Sequence, residues 1–86
     1  MNDSPMEFPC DFPIKVLGRD RPGFRETALG IVSRHAGEIP AEAVRESSSR
    51  RGAFLSITVT IRATSRSQLD AIYRDLSAHD QVLVAL

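Results

Sequence analysis

Apolar residues recur along this chain with two different periods, and the switches between them divide it into six elements. In 12–18, Phe12, Ile14 and Val16 alternate with Pro13, Lys15 and Leu17, the period of a strand, and Pro13 sits near its start. From Pro22 the period lengthens. Phe24, Ala28, Ile31 and His35 form one helical stripe, widened by Thr27 and Val32. Asp20 is placed to cap this helix, Pro22 suits its first turn, and Gly37 stops it. Glu26 near its start and Arg34 and His35 near its end oppose the helix dipole. Gly30 is costly inside a helix, which suggests close approach to a strand.

Residues 41–63 read as two strands around a polar turn. The second is the clearest element of the chain: Leu55, Ile57, Val59 and Ile61 alternate with Ser56, Thr58, Thr60 and Arg62. The first, around 42–47, buries only Ala43 and Val44. Its charges Glu42, Arg45 and Glu46 suit an edge, where they discourage stray pairing. A second helix covers 64–80, with Ser65 and Gln68 at capping-box spacing and a stripe of Leu69, Ile72, Tyr73 and Leu76. A short apolar strand, "QVLVAL", covers 81–86.

Two right-handed crossover units joined by a hairpin make an α+β, ferredoxin-like βαββαβ sandwich. Two helices cover one face of a four-stranded antiparallel sheet, and Ser56, Thr58 and Thr60 line the open face. Residues 1–9 lack periodicity and read as a flexible tail, leaving 10–86 as one domain.

Composition narrows the function classes. Among 86 residues, eleven basic and eleven acidic side chains cancel, so no global field draws the chain to nucleic acid or an anionic membrane. The cations are ten arginines and Lys15, and the guanidinium fork suits carboxylate or phosphate. One cysteine, Cys10, fits a reducing compartment. The N-terminus has no signal-peptide pattern and no run approaches a membrane span, so a cytoplasmic protein is expected.

No catalytic constellation stands out. His35, His79 and Cys10 are scattered over three elements, without metal-ligand spacing, and no metal or cofactor is expected. Asp70 and Asp75 do not share a helix face and read as solvated. Serines 47–49 make a turn rather than a nucleophile elbow. The chain reads as a non-enzyme. RNA-recognition domains share this element order, and "RRGAF" (50–54) faintly resembles the opening of their motif. The later aromatic positions are absent, which leaves RNA binding as an alternative; Arg50 and Arg51 are more simply a hairpin tip.

The stretch "LGRDRPGF" (17–24) supports two readings. Structurally, Gly18 ends a strand, Asp20 caps, Pro22 starts a helix and Gly23 relieves crowding. Functionally, free N–H groups at a helix start attract anions, Gly23 leaves room for a ligand, and Arg19 and Arg21 can grip a carboxylate. Gly18, Arg19, Asp20, Arg21 and Gly23 are therefore the candidate ligand-binding residues. Lys15 and Leu17 are the candidate interface: alternation points both to the open face, where an apolar Leu17 wants cover, from a protein partner or a second copy.

Gly18-x-Asp20-Arg21-Pro22-Gly23, followed by Phe24 and lying between a first strand and a first helix, resembles the first loop of the ACT domain, a regulatory module. There this loop and the adjacent dimer interface often bind amino acids. More of the chain is similar to the YbeD-like family, small uncharacterised bacterial cytoplasmic proteins with an ACT-like fold. That likeness is carried by "EFPCDFPIKVLG" (7–18), "VSRHA" (32–36), "SITVTIRATS" (56–65), "LDAIYRDL" (69–76) and "VLVAL" (82–86), and it covers 7–86. The resemblance implies an ACT-like domain with no established activity, and through the loop a small amino acid or organic acid as ligand.

Overall fold

The structure, a computed structural model, describes residues 6–49 and 51–86. The chain runs through β1 (Cys10–Arg19), α1 (Phe24–Ala36), a single 3-10 turn (Ala41–Ala43), β2 (Val44–Ser48), β3 (Phe54–Ala63), α2 (Arg66–Ala78) and β4 (Val82–Ala85). The strands form one antiparallel sheet in the order β2-β3-β1-β4. This is the ferredoxin-like α+β sandwich that the periodicity predicts. Arg50, expected at the tip of the β2–β3 hairpin, and residues 1–5 of the expected tail lie outside the described residues.

The core follows the alternation. Ile14 and Val16 of β1 and Ile57 and Val59 of β3 are fully buried beneath Phe24, Ala28 and Val32 of α1 and Ile72 and Leu76 of α2. β1 and β3 pair along their whole length, from Cys10 opposite Ala63 to Arg19 opposite Phe54. Phe8, from the segment read as a tail, is partly buried against this core. β2 is an edge strand, as its charges suggest. Its Glu46 accepts a hydrogen bond from Arg25 of α1, tying the edge to the helix layer.

The entry to α1 differs from the expected capped turn. Asp20 does not cap the helix; its backbone N–H donates instead to the Ala53 carbonyl at 3.0 Å. The helix begins at Phe24, and its N-cap is Gly23 at φ 88° and ψ −11°, with no side-chain cap. The Phe24 N–H returns to the Arg21 carbonyl at 3.1 Å. Arg21-Pro22-Gly23-Phe24 is thus a type II turn, with proline and glycine where that turn needs them. A Cβ on Gly23 would meet nothing within 4 Å, so the glycine answers a backbone angle and not crowding.

Gly18 carries the crowding. A Cβ there would overlap the Phe24 ring and lie 2.6 Å from the Gln81 carbonyl oxygen. Nor does Gly18 end the strand, which continues to Arg19. Gly30 has open space around it and approaches no strand. Gly37 does stop α1 at positive φ (79°), but ψ is −163° rather than left-handed helical.

The second helix starts as expected, with the Ser65 hydroxyl accepting from the Gln68 N–H at 3.1 Å. The Gln68 amide oxygen accepts from the Thr64 N–H, one residue before the cap. Its Nε2 donates to the His35 carbonyl at 2.9 Å, joining the start of α2 to the end of α1. Asp75 is not simply solvated: its Oδ2 lies 2.7 Å from His35 Nε2 across the two helices.

Candidate functional site

A cavity of about 130 Å³ opens where β1 ends, lined by Arg19, Arg21, Asp80, Gln81 and Leu83. Three short pieces of backbone build it. β1 delivers Arg19 on the open face of the sheet, opposite Phe54 of β3. The turn after β1 carries Arg21. The α2–β4 turn supplies Asp80 and Gln81: the Val82 N–H donates to the His79 carbonyl at 3.0 Å, and the Gln81 N–H donates to His79 Nδ1 at 3.1 Å.

β4 completes the wall through an irregularity. Leu17 faces Val84 and Gly18 faces Val82, so Leu83 is an extra residue on β4. The irregularity lies beside Gly18, whose missing side chain admits both the Phe24 ring and the Gln81 carbonyl. Without that close packing, β4 and the end of β1 could not sit this near.

Side chains of both signs meet at this cavity. The Arg19 guanidinium carbon lies 5.3 Å from the centroid of the Phe54 ring, which orients the fork without neutralising it. Among the described residues neither Arg19, Arg21 nor Asp80 has a side-chain ion-pair partner; the pairs there are Arg25–Glu46, His35–Asp75 and Arg62–Asp11. Two cations and one carboxylate thus line the cavity without a side-chain ion pair among the described residues.

The five candidate ligand residues separate. Arg19 and Arg21 line the cavity; Gly18 lies beneath it as packing. Asp20 and Gly23 are exposed and do not line it. Asp80, Gln81 and Leu83 escaped the sequence reading. Their signal was topological: in this strand order β4 lies beside β1, so residues just before the final strand abut the end of the first. Of the candidate interface pair, Lys15 is exposed and exchanges backbone hydrogen bonds with Leu86, at 2.9 and 2.8 Å. Leu17 is half-buried on the open face, between Ser56 of β3 and Val84 of β4.

The other chemistry-bearing residues are dispersed. Cys10 is half-buried and free. Among the described residues, no group of three or more His, Cys, Asp or Glu side chains is placed to hold a metal ion, and no helix is long and apolar enough to cross a membrane. Tyr73 packs edge-on against Phe12, centroids 6.5 Å apart, and burial raises its phenol above the usual tyrosine value.

Comparison with known proteins agrees with the YbeD-like resemblance. A "UPF0250 protein" of Paraburkholderia phytofirmans is 48% identical over 86 residues, covering 100% of this chain and 97% of the relative. "UPF0250 protein NE1487" of Nitrosomonas europaea is 45% identical over 84 residues, covering 98% and 97%. One from Ralstonia nicotianae is 44% identical over 84 residues, covering 98% and 87%. The family model described as "Protein of unknown function (DUF493)" matches residues 3–86, and with relatives this similar over most of their lengths the chain belongs to that family.

Proposed function

We propose that this chain is a non-catalytic, ACT-like regulatory or interaction module of the cytoplasm, which holds a small carboxylate metabolite in the cleft between β1 and β4. One observation carries the reading: Arg19 and Arg21, without ion-pair partners among the described residues, line one small cavity with Asp80 on its wall. A carboxylate takes two parallel hydrogen bonds from a guanidinium fork. Asp80 offers a counter-charge to an ammonium group, and Leu83 an apolar contact for a short side chain. A small amino acid satisfies all three, and an organic acid satisfies the arginines. The volume of about 130 Å³ favours a compact ligand, being well below the roughly 300–1,000 Å³ of drug-sized sites.

RNA binding gains nothing comparable. The open face carries Ser56, Thr58 and Thr60, and its aromatic Phe54 is already covered by Arg19.

The test is a thermal-shift screen of amino acids and organic acids on the whole chain, with Arg19→Ala and Arg21→Ala as controls. A ligand at a hundredfold excess over its dissociation constant stabilises the fold by about 2.7 kcal/mol. The reading expects a concentration-dependent rise in Tm that both variants lose. No rise across the set, or equal rises in the variants, would overturn it.

A further inference from the structure

Beside α1 lies a groove that the fold does not fill. Glu26, Leu29, Gly30 and Ser33 of the helix and Glu38 and Ile39 of the loop after it line about 390 Å³. The four helical residues are spaced three and four apart, so they form one stripe. The groove shares no residue with the cleft of Arg19 and Arg21, so the two sites stand or fall separately.

Gly30 is the member the fold leaves unexplained. Inside a helix a glycine costs about 1 kcal/mol relative to alanine. Neither crowding nor backbone angle accounts for it here: a Cβ would meet nothing within 4 Å, and its φ is not positive. The Ser33 hydroxyl donates to the Gly30 carbonyl at 3.1 Å, which folds it down onto the helix. Bare helix backbone is therefore accessible between Leu29 and Ile39, two apolar side chains only partly buried against the core.

Glu26 and Glu38, both exposed, bound this surface, and neither has an ion-pair partner among the described residues. A second groove of about 230 Å³ meets the first at Glu38 and Ile39 and continues along Pro40 and Thr60. The joined surface suits a length of chain rather than a compact metabolite.

We propose that this groove receives a segment of a partner protein in which lysine or arginine flanks a large apolar side chain. The apolar side chain seats over Gly30, between Leu29 and Ile39, and the cations face Glu26 and Glu38. Charge selects this occupant. The two carboxylates disfavour nucleic-acid phosphate and anionic lipid. They also disfavour a second copy docked groove to groove, since a two-fold axis would set carboxylate against carboxylate.

The test pans random linear peptides displayed on phage against the immobilised whole chain. Enriched peptides are then labelled with fluorescein and titrated by polarisation. Enriched sequences are expected to carry lysine or arginine beside leucine, isoleucine, phenylalanine or methionine. Gly30→Leu fills the groove with a good helix former, so it should abolish binding while melting no lower than wild type. Glu26→Lys and Glu38→Lys should each raise Kd about fivefold or more, because attraction becomes repulsion. Asp70→Lys, the same charge change at an exposed position of α2, should leave Kd unchanged. The proposal fails if no peptide is enriched, if the enriched peptides are acidic or uncharged, or if Gly30→Leu binds them as wild type does. It fails equally if sedimentation shows the wild-type chain self-associating and Gly30→Leu abolishes that association, since the occupant is then a second copy.

Discussion

The guanidinium of Arg19 lies over the Phe54 ring, 5.3 Å from its centroid, at the last register position that β1 and β3 share. The contact matters because Arg19 ends a strand where a long side chain would otherwise sweep through solvent. Stacking narrows its range and holds one cation at the mouth of the cleft. Phe54→Leu keeps an apolar side chain at this half-buried position and removes the ring. An exposed cation–π contact contributes about 0.5–1 kcal/mol. Carboxylate affinity should therefore fall roughly two- to fivefold, with the total charge unchanged. Isothermal titration of the variant with any carboxylate that stabilises the wild type measures this.

Gly18 and Phe24 make a second prediction. The ring occupies the space a side chain at position 18 would need, with the Gln81 carbonyl oxygen on the other side. Overpacking a well-filled core costs about 1–3 kcal/mol. Gly18→Ala should destabilise the chain by at least that much, because backbone and ring must both move. Urea denaturation reports the loss as a lower midpoint at unchanged slope.

Two other glycines should respond in opposite directions. Gly30 is helical with open space around it, so Gly30→Ala is expected to stabilise by about 0.5–1 kcal/mol. Gly23 also has open space, but its φ is 88°. Gly23→Ala is expected to cost about 1 kcal/mol from backbone strain alone. Paired thermal melts of these variants separate conformational from steric reasons for glycine.

Alkaline pH should reveal Tyr73. Burial disfavours its phenolate, so the folded state keeps the proton above the ordinary value of about 10 while the unfolded state releases it. The folded state then binds more protons, and stability falls as pH rises from about 10 through the folded pKa. Below that window the contribution is fully present. Tyr73 is the only tyrosine, so tyrosinate absorbance reads it alone. Tyr73→Phe should flatten this part of the stability profile.

His35 and Asp75 tie the helices together at 2.7 Å while both remain partly exposed. A double-mutant cycle with His35→Ala and Asp75→Ala should give a coupling of about 0.2–1 kcal/mol. Neither single change should prevent folding.

Much of this architecture is legible in local pattern. The alternation of Leu55, Ile57, Val59 and Ile61 and the stripe of Leu69, Ile72 and Leu76 each fix both a secondary structure and a buried face. With the hairpin between them, these periods leave few topologies. The guarded edge at β2 is readable for the same reason, since charges on a strand have a local meaning. What escaped depends on residues distant in sequence. Gly18 and Gly23 look alike in "LGRDRPGF", yet one is shaped by a ring six residues away and by the β4 turn, the other by its own φ. Asp80 and Gln81 become part of a cleft only because β4 lies beside β1. Asp75 has a partner forty positions away, which no helical period can announce. The candidate site was therefore half visible: its arginines belong to a recognisable loop, its opposite wall to tertiary placement.

Amide chemical-shift mapping on the isotopically labelled chain, titrated with the carboxylates that raise its Tm, addresses the central claim most directly. Saturable shifts are expected to centre on Arg19, Arg21, Asp80, Gln81 and Leu83, and all to be lost in Arg21→Ala. Shifts absent at saturating carboxylate, or centred instead on the open face at Thr58 and Thr60, would contradict it.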